Sequence, residues 1–176
     1  MQPTRFVTLE PARPVHALTA TARGMIERTF VRAAQRAFTE LMTAIGQAGH
    51  MDAVRSCVGL LPDVPAGPDD ARCRYVAGVI FGHDLATGEG ACLRPPVPLS
   101  GSLAWTMLAP GRHAVFSHVG PYDTLHAAWK AIREQWLPAS GLAPRDAPPL
   151  ELTLSAPGTT APEALRTELW LPVADR

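Results

Sequence analysis

The sequence contains almost no lysine and has no excess of either charge. Lys130 is the only lysine among 16 basic residues, and 16 acidic residues bring the formal net charge to zero. Proteins that coat nucleic acid normally carry a strong basic excess. In addition, only about a dozen residues precede the first predicted strand, which is too few for a DNA-binding unit of several helices. We therefore expect no direct DNA binding.

Cysteine is also scarce, and no hydrophobic run is long enough to cross a membrane. The three cysteines form no C-x-x-C pair, which argues against a disulfide framework and fits a reducing cytoplasm. The longest uncharged run, Pro95–Gly111, is interrupted by four prolines. The first residues lack the apolar stretch of a signal peptide. We expect a cytoplasmic protein without a membrane segment.

Motifs for cofactors and metals are absent as well. Gly88-Glu89-Gly90 lacks the third glycine and the strand-to-helix context of a phosphate-binding loop. His113 and His118 are five residues apart on a predicted strand, so they face opposite sides and do not share a metal. We expect neither a cofactor nor a metal.

The first half of the chain reads as strand, helix, strand, strand. Pro14–Ala22 has the composition of a strand, and apolar residues at steps of three and four predict a helix over Met25–Ile45. Arg55–Leu61 and Arg74–Gly82 then read as two strands.

The second half repeats this order. After a short strand over Leu103–Leu108, His113–Val119 predicts a strand and Tyr122–Trp136 an amphipathic helix. Leu150–Leu154 and Arg166–Val173 predict two further strands.

The repeat predicts one domain over residues 1–176, with repeats at about 13–83 and 103–174. The expected fold is α+β, an antiparallel sheet with helices packed on one face. A groove between the repeats is the natural ligand site, because pockets favour such junctions.

Several segments are similar to a known family. Pro110–Tyr122 resembles the "aGxyavf.h.Gpy" signature of the GyrI-like domain, and Trp136–Gly141 resembles its "wlp.sG". Tyr75–Val79 resembles the "y.aGv" strand, and Leu150–Leu152 and Thr167–Val173 resemble the last two strands. This domain is also the effector-binding domain of bacterial multidrug-responsive transcription activators.

The resemblance implies a duplicated strand–helix–strand–strand fold whose central cleft binds bulky, flat, often cationic compounds against aromatic and acidic side chains. Glu151 and Glu168 match the family's glutamates in the last two strands. Thr153 departs from the pattern, since many members have tyrosine there.

We predict a ligand site formed by Glu151, Glu168 and side chains near them. Strand alternation suggests that both glutamates, Thr153 and Trp170 point to the cleft face of the sheet. Trp105 and Met107 share a strand face that suits either the groove or the core. Tyr75 shares a strand face with Phe81, for which core packing is the favoured alternative, and Tyr122 stands at a helix start near the groove. Trp129 and Trp136 belong to the apolar stripe of their helix and are predicted to be core.

Three functions are compatible with this site. The first is binding of hydrophobic, aromatic or cationic small molecules, in which a cation stacks on an aromatic ring and meets Glu151. The second is hydrolysis of strained, alkylating compounds of the cyclopropanoid type, with Glu151 as general acid or base. The third, inhibition of a topoisomerase by protein binding, follows from the family name alone.

Overall fold

The fold is a curled, mostly antiparallel sheet with helices on one face, seen here in a computed structural model that describes residues 1–156 and 158–175. Pro157, which lies between the last two predicted strands, and Arg176, the last residue of the predicted domain, lie outside the described residues. The strands of the described part are Arg5–Leu9 (β1), His16–Met25 (β2), Val54–Leu60 (β3), Asp70–Asp84 (β4), Glu89–Leu93 (β5), Ala104–Met107 (β6), Gly111–Val119 (β7), Leu142–Pro144 (β8), Leu150–Thr153 (β9) and Arg166–Asp175 (β10).

The main helices follow the first strand of each repeat. The first, α1, spans Val31–Gln47. The second begins with a 3₁₀ turn at Tyr122–Thr124 and continues as α2 over Leu125–Ala131. A π-helical segment at Ile132–Trp136 and a last turn, α3, at Leu137–Ala139 follow directly. The expected duplicated α+β fold is confirmed.

The strand order shows how the two repeats join. It reads β1-β7-β10-β9-β3-β4-β2-β6. In the central six strands, the second repeat supplies β7-β10-β9 and the first repeat supplies β3-β4-β2. The two repeats therefore run outward from the junction in the same order: second strand, third strand, first strand. The repeats meet where β9 pairs antiparallel with β3, with Glu151 directly opposite Gly59. Sequence alone did not supply this order.

The predicted start of the first helix was wrong by one and a half turns. Met25 belongs to β2, and a tight turn joined by hydrogen bonds between Ile26 and Thr29 follows it. Within this turn Glu27 and Arg28 have φ angles of 50° and 65°, in the left-handed region that a helix excludes. The apolar spacing continues through this turn, which is why periodicity extended the helix too far.

Three short strands escaped the sequence analysis: β1, β5 and β8. Each has only three to five residues, so alternation gives only a weak signal. Each is held by pairing with a longer strand: β1 with β7, β5 with β4, and β8 with β10. Tertiary pairing, rather than local pattern, creates these elements.

The sheet buries apolar residues on both faces. The helices cover one face and pack on a core that includes Leu41, Phe81, Phe116 and Trp136. A second cluster that includes Leu60, Val115, Leu152 and Trp170 lies on the opposite face. Buried polar side chains occur on both faces, with Glu151 among the residues of the first and Glu168 among those of the second.

Gly59, at the junction of the repeats, is required by the packing of Tyr75. An added Cβ at Gly59 would lie 2.0 Å from the Tyr75 phenol oxygen. The ring of Tyr75 thus crosses the bare backbone of β3 and reaches towards β9. No other residue type leaves this space free.

We expect Gly59→Ala to lower the free energy of unfolding by about 2 kcal/mol, because the methyl group overpacks against the Tyr75 ring. Urea titration followed by tryptophan fluorescence measures this. The control is Gly46→Ala near the end of α1, where nothing lies within 4 Å of the added methyl. That change should leave stability equal or raise it by up to about 1 kcal/mol. Equal stability of Gly59→Ala and the wild type would contradict the assigned contact.

Candidate functional site

Glu151 lies at the centre of the molecule, on the helix-covered face of the sheet. It stands on β9 between Gly59 of β3 and Leu169 of β10, and only 9% of its surface is exposed. Its Oε1 accepts a hydrogen bond of 2.8 Å from Nε1 of Trp129 in α2. A carboxylate in this position is removed from water and depends on a few protein groups.

Burial raises the pKa of Glu151 from its ordinary value of 4.5 to about 7. The Trp129 hydrogen bond and the positive charge of Arg133 oppose this shift but do not cancel it. Near neutral pH the carboxyl group therefore exchanges between the neutral acid and the anion. It can give up or take a proton, or meet a cation, without a large change in solution conditions.

Trp129 connects Glu151 with the guanidinium of Arg133. The guanidinium carbon lies 5.3 Å from the centroid of the Trp129 ring, a cation–π contact. Arg133 is four residues after Trp129, so both side chains emerge on the same side of the helix. The tryptophan thus offers its edge to an acid and its face to a cation.

The first repeat supplies a cluster of three aromatic side chains, Tyr75, Phe30 and Phe38. Tyr75 is buried on β4, with ring centroids of Phe30 and Phe38 at 5.9 and 6.4 Å. Burial raises the pKa of Tyr75 well above 10, and the negative charge of Glu151 adds to this shift. Tyr75 is consequently a neutral phenol at physiological pH.

A second tyrosine and three smaller polar groups complete the site. Burial raises the pKa of Tyr122, while its side-chain interaction with Thr153 opposes this shift. Cys57 stands opposite Thr153 across the β3–β9 pair, and its thiol pKa is raised by burial. Thr167, opposite Thr153 on β10, has a buried hydroxyl without a hydrogen-bond partner within residues 1–156 and 158–175.

The structure therefore brings together Glu151, Tyr75, Tyr122 and Thr153, four of the predicted site residues. It also brings Trp129 and Arg133 to the same place, which the sequence analysis did not. The prediction that Trp129 belongs to the core is confirmed, but the apolar stripe of its helix did not indicate the bond to Glu151. A buried tryptophan still needs an acceptor for its N–H, and this requirement was the available signal.

Glu168 and Trp170 lie on the opposite face of the sheet, so the expectation that both glutamates share one face was wrong. Glu168 stands beside Leu152 of the second apolar cluster. It forms a bidentate ion pair with Arg5 of β1, in which Arg5 Nη2 lies 2.8 Å from Glu168 Oε2. It also accepts a 3.0 Å hydrogen bond from Nε1 of Trp170. Its carboxylate is satisfied within the protein, and its part in ligand binding stays a prediction.

Trp105 and Met107 lie on β6 at the edge of the sheet. Four strand spacings separate β6 from β9, about 19 Å at about 4.8 Å each. The ring centroids of Trp105 and Phe81 lie 5.9 Å apart, and the guanidinium carbon of Arg94 lies 5.0 Å from the Trp105 centroid. Met107 is 51% exposed. The structure does not bring these two residues to Glu151, and their role in binding also stays a prediction.

The pKa of Glu151 makes stability depend on pH. The folded pKa is raised, so the protein is most stable where Glu151 is protonated, and stability falls as pH rises from about 4.5 to about 7. Across this pH range the free energy of unfolding falls by about 3 kcal/mol in total. Glu151→Gln removes this cost and should be more stable than the wild type at pH 8, yet similar at pH 4.5.

Thermal unfolding of both proteins between pH 4.5 and 8 measures this difference. The control is Glu163→Gln, which removes an exposed carboxylate and should leave the profile unchanged. Parallel pH profiles for Glu151→Gln and the wild type would show that Glu151 is not desolvated as described.

The described residues contain no group of three or more His, Cys, Asp or Glu side chains arranged to hold a metal ion. None of the described helices is both long and apolar enough to cross a membrane.

Comparison with known proteins shows partial similarity to a curated sequence and similar folds in several structures. A segment is 45% identical over 69 residues to the probable transcriptional regulator YgiV of Escherichia coli K12. The segment covers 38% of this chain and 42% of YgiV, less than half of that relative's length.

Among solved structures, the C-terminal domain of EcmrR has a TM-score of 0.59 at 16% identity, covering 98% of this chain and 96% of that domain. A hydrolase from Listeria innocua has a TM-score of 0.57 at 16% identity, covering 98% and 92%. SAV2435 bound to tetraphenylphosphonium has a TM-score of 0.51 at 14% identity, covering 99% and 94%. At these identities the likeness is one of fold.

The family comparison covers nearly the whole sequence. Residues 3–174 match the GyrI-like small-molecule-binding domain. The two paired repeats and the α+β fold agree with this match. The chain therefore belongs to the GyrI-like family of small-molecule-binding domains.

Proposed function

We propose that this protein binds flat aromatic cations between its two repeats, with the Glu151 anion as the counter-charge. The observation that carries the proposal is a buried carboxyl group with no ion-pair partner within 4 Å among the described residues. A buried anion of this kind is costly until it is protonated or meets a cation. A ligand cation can supply that charge.

The surroundings of Glu151 favour an aromatic ligand. Trp129 and Tyr75 offer ring surface next to the carboxylate, and a planar cation gains from stacking on a ring while it meets the negative charge. SAV2435, whose fold is similar, binds tetraphenylphosphonium, a hydrophobic cation. Selectivity for positive charge would then come from Glu151, and affinity from buried apolar area.

Entry to the site requires some side chains to move. Glu151, Tyr75 and Trp129 are each less than a tenth exposed. Tyr122 and Arg133 are only half-buried. We place the entrance beside these two residues, because the displacement of partly exposed side chains disturbs the fold least.

A cationic rhodamine ester tests the proposal by quenching of tryptophan fluorescence between pH 5.5 and 8.5. Only the Glu151 anion attracts the dye, so affinity should rise with pH and level off above about pH 7. Glu151→Gln should show a flat profile and bind at least about tenfold more weakly at pH 8, equivalent to about 1.4 kcal/mol.

Two control variants remove other carboxylates. Glu163→Gln should match the wild type. Glu168→Gln should retain dye affinity, because its carboxylate faces the other side of the sheet, but should lose stability because Arg5 is left unpaired. Failure to saturate with any cationic dye of a panel, or an unchanged affinity in Glu151→Gln, would refute the proposal.

A second candidate function is hydrolysis of a strained alkylating compound. It is favoured by the pKa of Glu151 of about 7, which suits a general acid or a base for water. The Listeria innocua protein of similar fold is a hydrolase.

Turnover of a cyclopropane-containing alkylator, followed by product chromatography, tests this function. Glu151→Gln should still bind the compound but convert it at least about a hundredfold more slowly, the usual contribution of a general acid or base. Equal rates in the two proteins would exclude Glu151 from that role.

A further inference from the structure

We propose that Arg133 is a built-in cation that occupies the face of Trp129 until a ligand cation replaces it. This inference rests on the proposed function, because it concerns the same site. It adds a specificity determinant: the site selects planar cations with delocalised charge, which can take the place of a guanidinium on the ring. Arg133 would therefore weaken cation binding rather than assist it.

The position of Arg133 is the first argument. Its guanidinium lies over the Trp129 ring at 5.3 Å, while the indole N–H of the same ring is bonded to Glu151. A ligand cation that stacks on Trp129 and meets Glu151 must use the same ring and the same anion. The two cations therefore compete.

The absence of a fixed partner is the second argument. Among the described residues Arg133 has no carboxylate within 4 Å, although it is half-buried. Lys130, one turn earlier, is exposed and forms a 2.9 Å ion pair with Glu134. The helix thus directs one cation to a surface acid and holds the other at the site. A partly desolvated guanidinium that stacks on a ring and is attracted by a carboxylate more than 4 Å away can be displaced.

The local helix geometry is the third argument. Arg133 is the second residue of the π-helical segment that interrupts the second helix. Such segments are rare and occur frequently at functional sites. Here the segment directly follows the turn that carries Trp129.

The test compares Arg133→Gln with Lys130→Gln, which loses the same charge from the exposed side of the same helix. Binding of the cationic rhodamine ester and of the neutral flat dye Nile red is measured at pH 8 in low and high salt. We expect Arg133→Gln to bind the rhodamine at least about threefold more tightly than the wild type, with a smaller gain for Nile red. Lys130→Gln should match the wild type.

A second readout separates this role from a merely structural one. The Arg133 charge favours the Glu151 anion, so its removal should move the midpoint of pH-dependent rhodamine binding to higher pH. Equal or weaker rhodamine binding by Arg133→Gln, or an equal gain in Lys130→Gln, would overturn the inference. Wild-type protein that binds neither dye saturably would instead overturn the proposed function itself.

Discussion

The burial of one carboxyl group at the junction of the two repeats is the constraint on which the site depends. Glu151 is removed from water by the helices above it and by the apolar sheet around it, and a single hydrogen bond from Trp129 compensates for part of the lost hydration. Its pKa near 7 is the direct result. A solvated glutamate would select no ligand, and a fully paired one would have no free charge to offer.

The duplicated fold explains why Glu151 lies between side chains of both repeats. The second strands of the repeats pair at the centre of the sheet, and each repeat contributes one helix above the junction. Tyr75 approaches from one repeat across the bare backbone of Gly59, and Trp129 from the other. A ligand between them would contact both repeats, so the site would not exist in either repeat alone.

The two glutamates show how one sheet gives the same residue type two different roles. Glu168 accepts hydrogen bonds from both terminal guanidinium nitrogens of Arg5 and from Trp170, so its charge is neutralised. The ion pair also links β1 to β10. Glu151 also accepts a hydrogen bond from a tryptophan, Trp129, but it has no ion-pair partner within 4 Å among the described residues. The difference lies in which face of the sheet each side chain enters and in what the chain places there.

Much of this fold could be predicted from sequence, because apolar periodicity and the order of strands and helices are local properties. The repeat, the α+β class and the two main helices followed from such patterns and from resemblance to a family, and the same sources selected Glu151 as a candidate site residue. Strand order, the faces of Glu151 and Glu168, and the meeting of Trp129 with Glu151 did not. These depend on pairing between residues far apart in the chain, such as Glu151 with Gly59 and Arg5 with Glu168, which no local pattern encodes. Composition and periodicity determined the long strands and the two main helices, and only the tertiary structure decided that the buried Glu151 has no ion-pair partner within 4 Å among the described residues.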